Sequence, residues 1–233
     1  MLDLYQAFIS YGRADSKDFA AKLYSKLTER GLKIWLDNNN IPLAVDFQNQ
    51  IDLGIEKADN FLFIISPHSV NSPYCLKEIL HALKHNKRII PLLHVEEITY
   101  ESWQQRNPEG TLEEWEIYQQ QELHSCFPNM HPEIAKINWV YFRENIDDFD
   151  KAFTSLIALL RQHQDYVRKH TEILVKALQW QHNNKNNRDL LFTPDRQEAE
   201  TWLKIKFKSE QPPCLPTDLQ CEFICETIKN SNN

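Results

Sequence analysis

Glycine is scarce in this chain, with four residues among 233. None of them builds a Gly-x-Gly-x-x-Gly run after the first predicted strand, and no Walker-type loop occurs. Rossmann-type hydride transfer and P-loop phosphoryl transfer therefore both lack their phosphate cradle. No Ser/His/Asp arrangement carries a nucleophile-elbow signature. Long hydrophobic runs are missing as well: none approaches the length of a membrane span. The N-terminus has no signal-peptide pattern. Nor is there a basic excess. The net charge is −7 and no long basic stripe appears, which speaks against a nucleic-acid partner. The five cysteines (Cys75, Cys126, Cys214, Cys221, Cys225) are odd in number and scattered. Without an export signal, reduced thiols in a cytoplasm are the expectation. Cys221 and Cys225 could share a helix face but lack two further ligands at suitable spacing, so no metal is expected there.

What is present reads as a globular α/β chain. Hydrophobic residues make up 42% and charged residues 25%, ordinary globular composition. Phe61–Ile65 is a short apolar run, the pattern of a strand buried on both faces of a parallel sheet. Ser72 and Pro73 predict the N-cap and first residue of a helix, with Leu76, Ile79, Leu80 and Leu83 as its core stripe. Further strands are expected at Leu4–Tyr11, Leu32–Leu36, Arg88–Leu93 and Asn138–Phe142. A helix is expected from about Lys17, capped by Asp15 or Ser16. Another is expected after Asp46, carrying Phe47, Ile51 and Ile55 inward. Strand and amphipathic helix alternate, which argues a parallel sheet with helices on both faces. Residues 96–136 break the rhythm as a polar insertion holding Trp103 and Trp115, expected as a surface flap. Its His124, Cys126 and His131 fit no metal spacing and read as surface residues. From about Gln164 onward only helices are expected.

Open α/β sheets bind ligands at the carboxyl ends of their strands. Four segments should meet there: 10–15, 37–46, 66–74 and the residues after Leu93. The helix starting at Pro73 would offer its N-terminal amides to an anion, and Arg13 would add a bidentate positive donor. Glu78 sits beside the predicted apolar stripe of that helix. By itself it fits either a solvated helix glutamate or a carboxylate on a cleft floor. With Arg13 and the aromatic Tyr11, Phe47 and Tyr74, the set suits cleavage of a glycosidic bond through an oxocarbenium-like state.

Three stretches carry a resemblance: FISYGRADS (8–16), WLDNNNIPLAVDF (35–47) and FLFIISPHSVNSPYCLKEI (61–79). In order and spacing they resemble the three boxes of bacterial TIR (Toll/interleukin-1 receptor) domains. The resemblance implies a flavodoxin-like five-stranded parallel sheet over 1–163, including the 96–136 insertion. It also implies an all-α region over 164–233, similar to segments that follow TIR domains in multidomain bacterial proteins. It implies cleavage of NAD+ at the nicotinamide–ribose bond, to ADP-ribose or a cyclic isomer, with NAD+ as substrate and no cofactor. The setting it implies is cytoplasmic bacterial signalling or antiviral defence. Glu78 takes the position of the catalytic glutamate. The expected substrate-binding set is Tyr11, Gly12, Arg13, Asp37, Phe47, Ser66, Tyr74 and Cys75. Self-association through the 37–46 loop is expected in the active form. This chain has Ala44 and Phe47 where bacterial relatives often have Gly and Trp, and Ala restricts the loop backbone more than Gly. The alternative is a catalytically silent TIR scaffold that only binds other TIR domains.

Overall fold

The computed structural model describes residues 2–36 and 46–231. In chain order the first half runs β1 (Tyr5–Ser10), α1 (Arg13–Glu29), β2 (Ile34–Trp35), α2 (Phe47–Glu56), β3 (Ala58–Ile65), α3 (Pro67–Val70), α4 (Pro73–Lys84) and β4 (Arg88–Leu93). Three helices fill the 96–136 insertion: α5 (Tyr100–Arg106), α6 (Leu112–Gln120) and α7 (Pro132–Ala135). β5 (Val140–Tyr141) and α8 (Phe149–Arg161) follow. Then come α9 (Gln164–His182), a 3-10 turn at Asn187–Asp189, α10 (Asp195–Leu203) and α11 (Asp218–Ser231).

The strands form one five-stranded sheet in the order β2-β1-β3-β4-β5, with every pair parallel. This is the expected α/β class, followed by helices alone among the described residues. β3 is central and buried along its whole length, as a strand covered on both faces must be. On one face α1 (Phe19, Leu23, Leu27) and α8 (Phe153, Leu156, Leu160) pack against Ile9, Leu62 and Leu92. On the other, α2 (Ile51, Ile55) and α4 (Cys75, Ile79, Ala82) pack against Phe8, Phe61 and Phe63. A third cluster, with Ile173, Ala177, Trp180, Phe223 and Ile224, joins α9, α10 and α11.

Several expectations need correction. β3 begins three residues before the apolar run, because partners distant in sequence hold its polar start. Asp59 pairs with Arg168 of α9 at 2.8 Å, and the Asn60 amide donates to the Gln6 carbonyl at 2.6 Å. Arg13 does not lie in a loop; it opens α1, whose N-cap is Gly12. The expected caps are engaged elsewhere: Asp15 accepts the His68 amide at 3.0 Å, and Ser16 bonds His94 Nδ1 at 2.9 Å. The core stripe of α4 is Cys75, Ile79 and Ala82, while Leu76 and Leu80 face solvent at 43% and 49% exposure. The helix is rotated relative to the expected stripe because small side chains let it lie close to the sheet.

The insertion is more than a surface flap. Ile98, Trp103 and Trp115 build a small core with Tyr100 and Tyr118, while Cys126 and Ile134 are fully buried in the main core. Burial pushes the Cys126 thiol up to about 12. His131 caps α7 by accepting the Glu133 amide. An antiparallel bridge, Glu97 to Ser125, clasps the two ends of the excursion that carries α5 and α6. No helix among the described residues is long and apolar enough to cross a membrane.

Candidate active site

The carboxyl ends of β1 and β3 are held by short-range bonds. Ser66, the last residue before α3, forms a capping box with Ser69: each hydroxyl accepts the other residue's amide, at 3.1 and 2.9 Å. Gly12 passes so close to this turn that a Cβ would sit 2.7 Å from the Ser69 nitrogen and 2.9 Å from His68 Cβ. Only glycine allows that approach. Ser72 then caps α4 by accepting the Cys75 amide at 3.2 Å, with Pro73 as first helical residue. This is the expected helix start.

On the inner side of that first turn, the Cys75 thiol lies 3.5 Å from the Tyr11 carbonyl. Burial, with the neighbouring Glu78 carboxylate second, pushes it up to about 12. The thiol is therefore neutral and no nucleophile. One turn on, Glu78 is half-buried and accepts a 2.5 Å hydrogen bond from the Ser10 hydroxyl. That length is normal for a hydroxyl bonded to a carboxylate. The bond moors the carboxylate to the end of β1.

These groups line a cleft of about 700 Å³, a volume ordinary for ligand sites. Tyr11, Gly12, Arg13, Phe47, Tyr74, Cys75 and Glu78 of the expected set all border it. Ser66 does not: it is fully buried and serves the α3 cap. Asp37, and nearly all of the 37–46 loop with Ala44, lie outside the described residues. The cleft also takes His68, Asn71 and Ser72 from the β3–α4 connection, and Tyr118 and Leu123 from the insertion. Tyr118 and Leu123 were not anticipated; the Trp103/Trp115/Tyr118 clustering in a polar insertion was the available signal. Glu78 is the one carboxylate among the described lining residues, and Arg13 the one guanidinium. Burial holds the His68 imidazole below its ordinary pKa, and its ring meets Arg106 of α5.

The TIR domain family model matches residues 7–157, well over half of the chain. The chain belongs to the TIR domain family. Three curated relatives align with less than half of this TIR protein. A probable 2′ cyclic ADP-D-ribose synthase of Brachypodium distachyon, BdTIR, is 31% identical over 91 residues, 39% of this chain and 41% of the relative. The NAD(+) hydrolase TcpC of Escherichia coli is 28% identical over 95 residues, 39% and 31% of the two chains. The 2′ cyclic ADP-D-ribose synthase BtTIR of Bacteroides thetaiotaomicron is 27% identical over 94 residues, 39% and 33%. The chain thus spans less than half the length of the curated relatives it matches. Among solved structures, the TIR domains of the activated Roq1 resistosome give a TM-score of 0.47 at 14% identity, covering 67% of this chain and 99% of that one. The TIR domain of the Toll-related receptor TRR-2 from Hydra magnipapillata gives 0.46 at 18%, covering 67% and 98%.

Proposed function

We propose that this TIR protein cleaves NAD+ at the nicotinamide–ribose bond, with Glu78 as the catalytic carboxylate. The observation that carries the reading is the placement of Glu78, moored by Ser10 in a cleft that also holds Arg13 and four aromatic side chains. The names of the relatives, NAD+ hydrolase and cyclic ADP-D-ribose synthase, support the same chemistry. As the C–N bond breaks, its electron pair leaves with nicotinamide, whose ring becomes neutral. Positive charge develops on the ribose, and Glu78 stabilises it where it forms. Arg13 holds phosphate, and Tyr11, Phe47, Tyr74 and Tyr118 offer surface to the rings. Water attack gives ADP-ribose and a proton; attack from the adenine end of the same molecule gives a cyclic product. NAD+ is the substrate, and the chemistry uses no cofactor or metal. Residues 1–163 form the catalytic unit and 164–233 a helical region that buttresses it. The setting that fits is cytoplasmic signalling or antiviral defence.

Self-association through 37–46 completes the active form in this reading. A second reading, a silent scaffold, draws on one observation: Leu76 and Leu80, one turn apart on α4, are exposed at 43% and 49%. Adjacent exposed apolar side chains suit a protein interface. Turnover separates the two readings. Purified protein, incubated with NAD+ at rising protein concentration and followed by chromatography, should release nicotinamide with a rate per molecule that climbs. No release at any concentration would leave the scaffold.

A further inference from the structure

At the ends of α2 and α4 farthest from the cleft lies a cluster that the proposed chemistry does not use. Glu56 is the last residue of α2; His81 and His85 stand one turn apart at the end of α4. Glu56 Oε1 is 3.1 Å from His81 Nε2 and 3.8 Å from His85 Nε2. All three ligand-capable atoms lie within 4.8 Å of one another. Two ligands of a tetrahedral ion with bonds of about 2.05 Å stand roughly 3.3 Å apart, so these side chains are close to that geometry already. The two imidazoles meet edge to face, with centroids 4.6 Å apart.

A simple hydrogen bond accounts for Glu56 and His81 but not for His85. That residue is 5% exposed, and its Nε2 is buried with no hydrogen-bond partner. A buried polar atom left so is costly, and such atoms are rare in native proteins. Nε2 faces the Glu56 carboxylate without bonding it, as a ligand atom would face an ion between them.

We propose that Glu56, His81 and His85 bind one divalent ion of the Zn2+ class, with water in the remaining position. Two imidazoles and a carboxylate are the donor set such ions favour. Lys84 and Lys87 bring positive charge nearby. The Lys87 ammonium is held on the Glu56 and Ala58 carbonyls at 2.7 and 2.8 Å, away from the carboxylate. These cations make the site weaker than a four-ligand zinc centre. The role is structural. α2 and α4 carry Phe47 and Glu78 toward their cleft ends, so an ion at their far ends fixes the spacing between two cleft walls. This does not rest on the NAD+ reading.

The test is metal binding by the full chain. Protein stripped with chelator and titrated with Zn2+ against a chromophoric competitor should take up one equivalent at this site and melt at higher temperature when loaded. Outer-shell changes alone cost about 10- to 100-fold in metal affinity, so losing a ligand in Glu56→Gln or His81→Ala should cost at least about 100-fold. A Cys221→Ser/Cys225→Ser control should bind as wild type. Glu56→Gln keeps side-chain volume and decides the matter if His81→Ala fails to fold. No uptake, or an equivalent that persists undiminished in folded Glu56→Gln, overturns the proposal.

Discussion

At the carboxyl ends of β1 and β3, Cys75 and Glu78 border an open cleft, with Glu78 bonded to the buried Ser10. At the amino ends of the same sheet, Asp59 and Lys87 are buried beneath α9, whose Arg168 pairs with Asp59. Both ends gather polar groups, yet they treat them oppositely. At the sealed end these residues are held by protein partners: one Asp59 oxygen pairs with Arg168 while the other stays buried without a hydrogen bond, Lys87 has two carbonyls, and the Arg88 guanidinium holds the Leu160 and Gln162 carbonyls at 3.2 and 2.6 Å. Burial pushes Asp59 up to about 6 and Lys87 down to about 7. At the open end, Arg13, Cys75 and Glu78 border a space large enough for a ligand. Asp59, Asn60 and Arg88 border only a space of about 40 Å³, against about 700 Å³ at the cleft, so it is polarity beside a space of ligand size that marks the candidate functional edge.

The sealed end is broken hardest by Arg168→Met. Removing one partner of a buried ion pair costs about 3–5 kcal/mol, and the low end applies because the Arg168 side chain is 26% exposed. Urea unfolding at pH 8 should read that loss. Folding raises the Asp59 pKa, so below the unfolded value the group favours the native state. That contribution disappears as pH rises through about 6. At pH 5 the variant's Asp59 is protonated, and its deficit should shrink. An equal deficit at both pH values would remove Asp59 from the account.

At the open end Glu78→Gln is the counterpart. Turnover of NAD+ should fall on the order of 100- to 1000-fold, the usual loss for a missing transition-state partner. The thermal melt should stay nearly unchanged. A folded variant with wild-type turnover would take Glu78 out of the mechanism.

Tyr118→Ala should cost less. An aromatic contact contributes about 1 kcal/mol, which is roughly a fivefold rise in KM with kcat retained. An unchanged KM would place the insertion outside substrate binding. Smallest of all on stability should be Leu80→Ser, within about 0.5 kcal/mol as for exposed sites generally. Its effect should appear in the dependence of turnover on protein concentration, which would flatten if α4 supports assembly.

The strands were legible because a parallel sheet buried on both faces needs apolar runs, and Phe61–Ile65 and Arg88–Leu93 are such runs. The start of β3 was hidden because Asp59 and Asn60 look like loop residues until Arg168 and Gln6, distant in sequence, supply their partners. On α4 the large Leu76 and Leu80 drew the stripe toward themselves, whereas the close packing chose Cys75 and Ala82. Most of the cleft lining could be read from the loops at strand ends. Tyr118 could not, because it reaches the cleft through the tertiary packing of Trp103 and Trp115.

The clasp between Glu97 and Ser125 makes the excursion carrying α5 and α6 a cassette. It leaves the sheet and returns at a single point, with the Cys126 amide on the Glu96 carbonyl at 2.9 Å and the Ile98 amide on the His124 carbonyl at 2.8 Å. Doubling the length of a loop closed in this way costs only about 0.6 kcal/mol. Tyr118 and Leu123 can therefore be exchanged wholesale while Ser10 and Glu78 keep their places. In this scaffold, the cleft wall supplied by the insertion and the Ser10–Glu78 pair at the sheet edge can vary independently.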